Sequence, residues 1–256
     1  MGEKWRLIPF SSNDAALNMA IDESILRLKS EGKVPNTIRL YSWKPSAVSI
    51  GFFQSIEDEV NLMRCKKLEI DIVRRITGGG AVYHDQNGEV TYSIIIDSKD
   101  SIISPSILDS YEFLCQGVVK GLYELGLDAK FQKINDVIVN NKKISGNAQT
   151  RKWNVLLQHG TILVNVDVNK MFSVLRVNDE KIRDKIISAV QERVTSVNNE
   201  LDKQTSLDEV AECLRVGFER ILNVSFVNEG LTTEEVNLAK ELKNQKYSSK
   251  KWSFSR

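Results

Sequence analysis

The residues best suited to chemistry lie in a glycine-rich run that begins with two arginines. The run reads RRITGGGAVYHD and occupies positions 74–85. Glycine lets the backbone approach a ligand closely, and main-chain N–H groups beside Arg75 form a site for a carboxylate or a phosphate. An isolated GGG is more often a hairpin between solvated arginines. Here a second motif and the placement of the histidines favour an anion site.

The second motif combines Asn135 and Asp136 with the stretch KKISGNAQTR at 142–151, one hairpin later. Lys143 begins an alternating strand pattern that ends at small residues, so its amine can reach a bound group beside a narrow backbone. Pairing of the two strands would bring Asp136 near Lys143, where a carboxylate can hold a divalent cation or orient the ammonium. Most strand lysines are only solvated, and Asn-Asp pairs favour turns, so neither feature alone establishes a site.

The chain has two histidines, His84 and His159. A single histidine is most often a hydrogen-bonded structural residue, and we interpret His159 in this way. The glycine run just before His84 favours a site-lining role for that residue. The spacing of the two does not match a metal pair, and the sequence has no HExxH motif, P-loop, dinucleotide fingerprint or GxSxG elbow.

Composition describes an ordinary globular protein of 256 residues, of which 41% are hydrophobic and 27% are charged. A net charge of +1 provides no overall attraction to nucleic acid or to a membrane surface, so we expect neither as a partner. The three cysteines are widely spaced and form no CxxC pattern, which argues against a disulfide framework and a zinc cluster and favours the cytoplasm. No signal core and no membrane-spanning apolar run is visible.

Strand and helix patterns alternate irregularly as far as residue 166, and the pattern is mostly helical from Val168 onward. Amphipathic periodicity predicts long helices over 15–29 and 105–124. Short strands are predicted over 5–9, 37–41, 47–52, 70–74, 81–83, 89–96, 136–139, 143–145 and 154–164. Asn140 and Asn141 are predicted to form the hairpin turn between the strands at 136–139 and 143–145. This order argues against a regular parallel sheet and predicts an α+β fold with mixed, largely antiparallel sheets flanked by helices.

Taken together, the motifs resemble those of the lipoate–protein ligase A family, which belongs to a wider group with biotin–protein ligases and octanoyltransferases. The resemblance rests on RRITGGGAVYHD, ND, KKISGNAQTR and QHGTIL in this order, and extends from about residue 5 to about residue 252. It implies a catalytic domain of the class II aminoacyl-tRNA synthetase type. It also implies an enzyme that uses ATP to convert lipoate to lipoyl-AMP and then transfers the lipoyl group to a lysine of an acceptor protein.

The resemblance also implies roles for individual residues. Lys143 is the catalytic residue and contacts the acyl carbonyl and phosphate oxygens of the intermediate, while Asp136 lies near the magnesium ion. His159 and Arg151 are further candidates, although some relatives place the arginine one residue earlier. The other residues that would bind substrate or nucleotide are Arg75, Thr77, Gly78, Gly79, Gly80, His84, Asn135, Asp136, Gly146, Asn147 and Ala148, of which the last three are expected in a loop. Fixed cations would offset the repulsion between carboxylate and phosphate.

The partners follow from the same resemblance. ATP and lipoate would be substrates and magnesium the cofactor, with no prosthetic group. Acceptors would be lipoyl-domain proteins of the 2-oxoacid dehydrogenase E2 type or the glycine cleavage H protein type. Many ligases of this family carry a C-terminal accessory domain, and this chain stops where the catalytic domain of similar proteins ends. We therefore expect a single catalytic domain over 1–256 and a separate accessory polypeptide.

Two alternatives remain open. An octanoyl- or lipoyltransferase acting through a cysteine thioester would need a reactive thiol, and neither 131–141 nor 149–168, where this group carries one, contains cysteine. The stretch QTRKWNVLLQHGTIL nevertheless resembles the octanoyltransferase side of the group. The second alternative is a non-catalytic lipoyl-binding protein, although the lysine motif and the intact glycine run argue against it.

Overall fold

The computed structural model describes residues 5–177 and 183–255. Its strands are β1 (Trp5–Asn13), β2 (Asn36–Trp43), β3 (Ala47–Ile50), β4 (Asp71–Arg74), β5 (Val82–His84), β6 (Glu89–Asp97), β7 (Ala129–Gln132), β8 (Asp136–Val139), β9 (Lys142–Lys152), β10 (Val155–Leu163) and β11 (Phe226–Asn228). Its α-helices are α1 (Ala15–Ser30), α2 (Ile56–Glu59), α3 (Leu62–Lys67), α4 (Ile107–Glu124), α5 (Val168–Val174), α6 (Arg183–Arg193), α7 (Val197–Leu201), α8 (Leu207–Leu222), α9 (Thr233–Leu242) and α10 (Lys250–Ser253), and a π-helical turn (Lys243–Tyr247) joins the last two.

Two sheets organise the described part of the chain. The larger has eight strands in the order β11-β1-β2-β6-β10-β9-β8-β7, and the smaller has the order β4-β3-β5. In the larger sheet β1 pairs in parallel with β11 and β2, and the other neighbours are antiparallel. In the smaller sheet β3 is parallel to β4 and antiparallel to β5. The predicted α+β fold with mixed, largely antiparallel sheets is confirmed.

The larger sheet is covered by helices on both faces. Successive side chains of strand β6 belong to different core clusters, one on each face of the sheet. Tyr92, Ile94 and Ile96 belong to the core cluster built with α4 and α8, whereas Ile95 belongs to a second cluster built with α1. Because successive strand residues point to opposite faces, a strand with both faces covered reads as a continuous apolar run. Strand β6 is therefore buried on both faces within the larger sheet, between β2 and β10.

Several predicted elements agree with the structure. The helix predicted over 15–29 is α1, and the Asp14 side chain accepts a hydrogen bond from the main-chain N–H of Leu17 at its start. The predicted turn at Asn140 and Asn141 joins β8 to β9, and both residues have positive φ angles of 49° and 62°. Such angles suit a two-residue hairpin turn, in which asparagine is tolerated.

Other predictions were wrong or incomplete. The strand predicted over 143–145 is β9, which runs from Lys142 to Lys152, so Gly146, Asn147 and Ala148 lie in a strand and not in a loop. Their main chain pairs with β10, and that of Gly146 also pairs with β8. The small polar residues of β9 give no alternating hydrophobic pattern, so the pattern does not indicate a strand here. The main-chain pairing that forms the strand does not depend on their side chains. Strands β7 and β11 were not predicted.

Across the described residues, no helix combines the length and the apolar character that crossing a bilayer requires.

Candidate active site

A cavity of about 340 Å³ is lined by residues of both sheets. Gly79 and Gly80 of the glycine run form part of its wall, and Lys143 of the second motif forms another part. The volume lies within the range of ~300–1,000 Å³ that is usual for small-molecule sites. The fold therefore brings the two sequence motifs, about sixty residues apart, to one place.

Most of the predicted site residues line this cavity. They are Arg75, Gly79, Gly80, His84, Asn135, Lys143, Gly146, Asn147, Ala148 and His159. Thr77, Gly78, Asp136 and Arg151 do not line it. Thr77 is fully buried behind the wall, and its hydroxyl lies 2.8 Å from His159 Nε2. Arg151 donates hydrogen bonds to the carbonyl oxygens of Ser104 and Pro105, so it fixes a loop outside the cavity.

Lys143 is held by the hairpin between β8 and β9. Its Nζ lies 2.7 Å from Oδ1 of Asp136, and both side chains are partly exposed. Gly146 lies directly beneath the lysine, since a Cβ atom there would be 2.9 Å from both Cε and Nζ of Lys143. A glycine at this position therefore leaves room for the amine, which contacts Asp136 while Lys143 lines the cavity.

A magnesium ion was predicted at Asp136. Within the described ranges no group of three or more His, Cys, Asp or Glu side chains is arranged to hold a metal ion. Asp136 is a single carboxylate that already contacts an ammonium. Magnesium is often held by only one or two carboxylates together with substrate phosphates. Asp136 alone therefore does not form a complete protein site, and the magnesium role stays a prediction.

Hydrogen bonds between Asn135 and Asn147 connect the residue that precedes β8 to strand β9 in the cavity wall. The side-chain and main-chain N–H groups of Asn147 donate to the carbonyl oxygen of Asn135 at 2.9 Å and 3.1 Å. The side chain of Asn135 donates in return to the carbonyl oxygen of Asn147. Tyr92 donates its hydroxyl hydrogen to Oδ1 of Asn147 at 2.7 Å. These hydrogen bonds hold the backbone near Lys143 in place, and none of them involves its ammonium group.

Arg75 is bound mainly to the protein itself. Its Nη1 donates to the carbonyl oxygen and the hydroxyl of Ser49, and its Nη2 donates to the carbonyl oxygens of Gly78 and Gly80 at 2.9 Å and 2.7 Å. Burial lowers the pKa of Arg75 to about 10, so the guanidinium remains protonated at neutral pH. Four of its five N–H groups are thus used within the protein, two to hold Ser49 and two to shape the glycine run.

His84 is fixed by two buried residues that the sequence motifs did not identify. Its Nε2 lies 2.8 Å from the hydroxyl of Ser49, and its Nδ1 lies 2.7 Å from Oε1 of Glu89. The ring also stacks on Trp43, with 4.0 Å between ring centroids. Ser49, Glu89 and His84 all line the cavity. The one sequence signal for Glu89 is a carboxylate at the start of a predicted strand rich in β-branched residues, and no sequence signal identifies Ser49.

His159 has a different environment, formed around the buried carboxylate of Asp22. Its Nδ1 lies 3.5 Å from Oδ2 of Asp22, which also binds Arg39 and the hydroxyls of Tyr41 and Ser93. Burial lowers the pKa of His159, against the attraction of Asp22, so the imidazole is neutral at pH 7. The Thr77 hydroxyl and the Asp22 carboxylate lie beside the two ring nitrogens, and His159 also lines the cavity, so its assignment as a structural residue stays a prediction.

The three cysteines lie away from the cavity. Cys65 and Cys115 are fully buried in separate core clusters, and burial raises the pKa of their thiols to about 11 and about 12. Burial also raises the pKa of Cys213, which is partly buried on α8. A reactive thiol needs a lowered pKa and access to its substrate. All three cysteines are therefore packing residues.

Sequence comparison places the chain among enzymes of lipoyl attachment. Residues 14–219 match the family model described as "Lipoyl protein ligase A/B catalytic domain". The chain is 36% identical to the octanoyltransferase LipM of Brevibacillus brevis over 99% of this chain and 100% of the relative. It is 32% identical to the octanoyltransferase LipM of Bacillus subtilis over 99% of both chains.

Structural comparison leads to lipoate ligases. A bi-partite lipoate protein ligase from Thermoplasma acidophilum, described together with its E2 lipoyl domain, superimposes with a TM-score of 0.87 at 35% identity and covers 99% of this chain and 96% of its own. A lipoate-protein ligase A bound with ATP superimposes with a TM-score of 0.83 at 31% identity, over 99% of both chains.

The predicted ATP-dependent ligase function is wrong on these findings. The curated relatives, at 32–36% identity over nearly their whole lengths, are octanoyltransferases. The solved ligases are 31–35% identical to the chain, and related enzymes of one fold can carry different activities. The chain belongs to the family of the lipoyl protein ligase A/B catalytic domain and is an enzyme of that group of lipoate ligases and acyltransferases.

Proposed function

We propose that this protein is an octanoyltransferase that moves an octanoyl group from a thioester donor to a lysine of a lipoyl-domain acceptor protein. The observation that carries the proposal is the full-length similarity to octanoyltransferases, in a chain whose cavity joins Lys143 to the glycine run. The acceptor is of the 2-oxoacid dehydrogenase E2 type or the glycine cleavage H protein type. The solved Thermoplasma acidophilum relative was described with an E2 lipoyl domain, which supports the first.

The acyl chain would bind against the apolar part of the cavity wall. Apolar side chains there include Met19, Val82, Leu163, Met171 and Val194. Each buried methylene group contributes about 0.8 kcal/mol to binding. An octanoyl group would therefore be held mainly by its chain, leaving its carbonyl group to be oriented by polar residues.

The polar residues suit attack of an amine on an acyl carbonyl. When the acceptor lysine attacks, negative charge develops on the carbonyl oxygen, and a fixed cation lowers the energy of that state. Lys143 would provide this charge, with Asp136 holding its amine in place. A thioester is already activated, so the transfer needs no nucleotide. ATP, magnesium and the accessory polypeptide stay predictions, and no step proposed here depends on them.

The test is an octanoyl-transfer assay with octanoyl-pantetheine as donor and an unmodified lipoyl domain as acceptor, without nucleotide. We expect the mass of the acceptor to rise by one octanoyl group. Lys143→Ala should lower the rate ~10²-fold or more, in line with the loss of an oxyanion donor. Lys142→Ala is the matched control, because the neighbouring Lys142 is exposed and does not line the cavity. Modification only from free octanoate with ATP and Mg²⁺ would refute the proposal.

A further inference from the structure

Ser49, His84 and Glu89 form a continuous hydrogen-bonded chain in the cavity wall. The distance from the Ser49 hydroxyl to His84 Nε2 is 2.8 Å, and that from His84 Nδ1 to Glu89 Oε1 is 2.7 Å. All three side chains are buried, with Ser49 only 2% exposed. Since all three also line the cavity, only a molecule inside the cavity can reach them.

The carboxylate fixes the direction of the hydrogen bonds. Glu89 Oε1 accepts from His84 Nδ1 and also from the Thr91 hydroxyl at 2.9 Å. With its proton on Nδ1, the neutral imidazole presents a lone pair at Nε2, so the Ser49 hydroxyl donates to it. Stacking on Trp43 holds the ring in this orientation. The same order of hydroxyl, imidazole and carboxylate activates serine nucleophiles on several unrelated folds.

Arg75 contacts the same hydroxyl from another side. Its Nη1 donates to Ser49 Oγ at 3.1 Å. A protonated guanidinium next to Oγ stabilises the negative charge that develops there when His84 removes the proton. The arginine therefore connects the glycine run to the serine. The histidine, as a proton acceptor, and the arginine, as a positive charge, both favour a reactive oxygen on Ser49.

We propose that Ser49 is a nucleophile that carries the octanoyl group as an ester between the donor and the acceptor lysine. This inference rests on the proposed transferase function. It gives His84 a catalytic role as general base, and it makes Glu89 a positioning residue. It also accounts for acyl transfer in a chain whose three thiols all lie outside the cavity.

The two half-reactions balance. In the first, Ser49 Oγ bonds to the acyl carbon, the carbon–sulfur bond breaks, and the proton that His84 Nε2 took from the hydroxyl passes to the leaving thiolate. In the second, the neutral amine of the acceptor lysine attacks the ester and an amide bond forms. His84 takes a proton from the nitrogen and returns it to Oγ as the carbon–oxygen bond breaks. Lys143, on the same cavity, would stabilise the oxyanion in each step.

The experiment looks for the ester directly. The protein is mixed with octanoyl-pantetheine, quenched in acid before any acceptor is added, and examined by mass spectrometry. We expect one octanoyl group per chain on the peptide containing Ser49. Ser49→Ala should abolish this adduct and lower transfer ~10³-fold or more. Ser46→Ala is the matched control, because this buried serine on the same segment lies outside the cavity wall and should leave adduct and transfer unchanged.

Two further variants keep the test informative if Ser49→Ala does not fold. Ser49→Cys should still be acylated, but its adduct should become sensitive to hydroxylamine at neutral pH, since a thioester replaces an ester. Glu89→Gln should lower kcat for acylation while leaving KM for the donor nearly unchanged, because the ring of His84 loses the carboxylate that orients it. A residue that only supports packing would lower stability without changing kcat in the folded variant.

The possible failures can be told apart. Transfer at the wild-type rate by folded Ser49→Ala, or an adduct on a cysteine, would overturn the serine intermediate and leave the transferase function standing. Rapid transfer by the wild type with no adduct detected on Ser49 would overturn it as well. Absence of any transfer from the thioester by the wild type would overturn the proposed function and this inference with it.

Discussion

Replacing Gly146 by alanine should displace the amine of Lys143 while leaving the fold intact. A Cβ atom at this position would lie 2.9 Å from Cε and Nζ of Lys143 and 3.8 Å from Oδ1 of Asp136. Carbon atoms do not approach that closely, so a neighbour must move, and the nearest neighbour is the end of a flexible side chain. The lysine should therefore shift and its 2.7 Å contact with Asp136 should break.

The magnitudes separate catalysis from stability. The Lys143–Asp136 pair is partly exposed, with 43% and 31% of the two side chains accessible, and such pairs contribute about 0–1 kcal/mol. The free energy of unfolding should therefore change by no more than about 1 kcal/mol. A catalytic group misplaced by about 1 Å can cost ~10²-fold in rate. We expect octanoyl transfer to fall by this factor.

The assay combines thermal unfolding with octanoyl transfer from octanoyl-pantetheine. Gly230→Ala is the matched control, because a Cβ atom there meets no other atom within 4 Å. The double variant Gly146→Ala/Lys143→Ala should be no slower than Lys143→Ala alone. Full activity of folded Gly146→Ala would show that the position of the lysine amine does not limit transfer. Unfolding of this variant would show that Gly146 serves packing instead.

Three more predictions concern a buried ion pair, the cysteines and the buried His159. Glu235→Gln removes the charge from a fully buried ion pair with Arg6 and should cost about 3–5 kcal/mol in chemical denaturation, because the guanidinium is left buried without a counter-charge. Replacing all three cysteines by alanine should leave octanoyl transfer within a few-fold of wild type. Complete loss of transfer in a folded triple variant would instead support transfer through a cysteine thioester. The lowered pKa of His159 means that the unfolded state takes up a proton before the folded state as the pH falls, so stability should decrease below about pH 6.5. In urea titrations at pH 7.5 and 5.5, His159→Asn should lose less stability between the two values than wild type does.

The sequence was sufficient to predict that Asp136 lies beside Lys143, whereas the meeting of Lys143 with the glycine run was implied only by the family resemblance. Alternation around Lys143 and the turn at Asn140 and Asn141 predict a hairpin, and a hairpin brings Asp136 to the lysine without any knowledge of distant contacts. The extent of β9 could not be predicted in the same way. Its polar residues are stabilised by pairing with β10, and that partner is set by the whole sheet.

Ser49 and Glu89 were missed for a related reason. They are far apart in sequence and are connected only through His84, because β3 and β6 both contribute residues to the same cavity from different sheets. A serine within AVSIG is unremarkable, since small polar residues occur in many strands. The sequence indicates only part of the role of Arg75, because its hydrogen bonds to the carbonyl oxygens of Gly78 and Gly80 depend on the path of the folded loop.

The charges around the cavity bear on the choice of acyl donor. A nucleotide triphosphate brings several negative charges, which a site must match with cations that are not already engaged. Here the guanidinium of Arg75 uses four N–H groups within the protein, and the ammonium of Lys143 contacts Asp136. A neutral thioester makes no such demand, and it needs one cation only when the oxyanion forms. Arg75 and Lys143 are the Arg and Lys side chains that line the cavity within the described residues, and both are already held by the protein, which supports the proposed transfer from a neutral acyl donor.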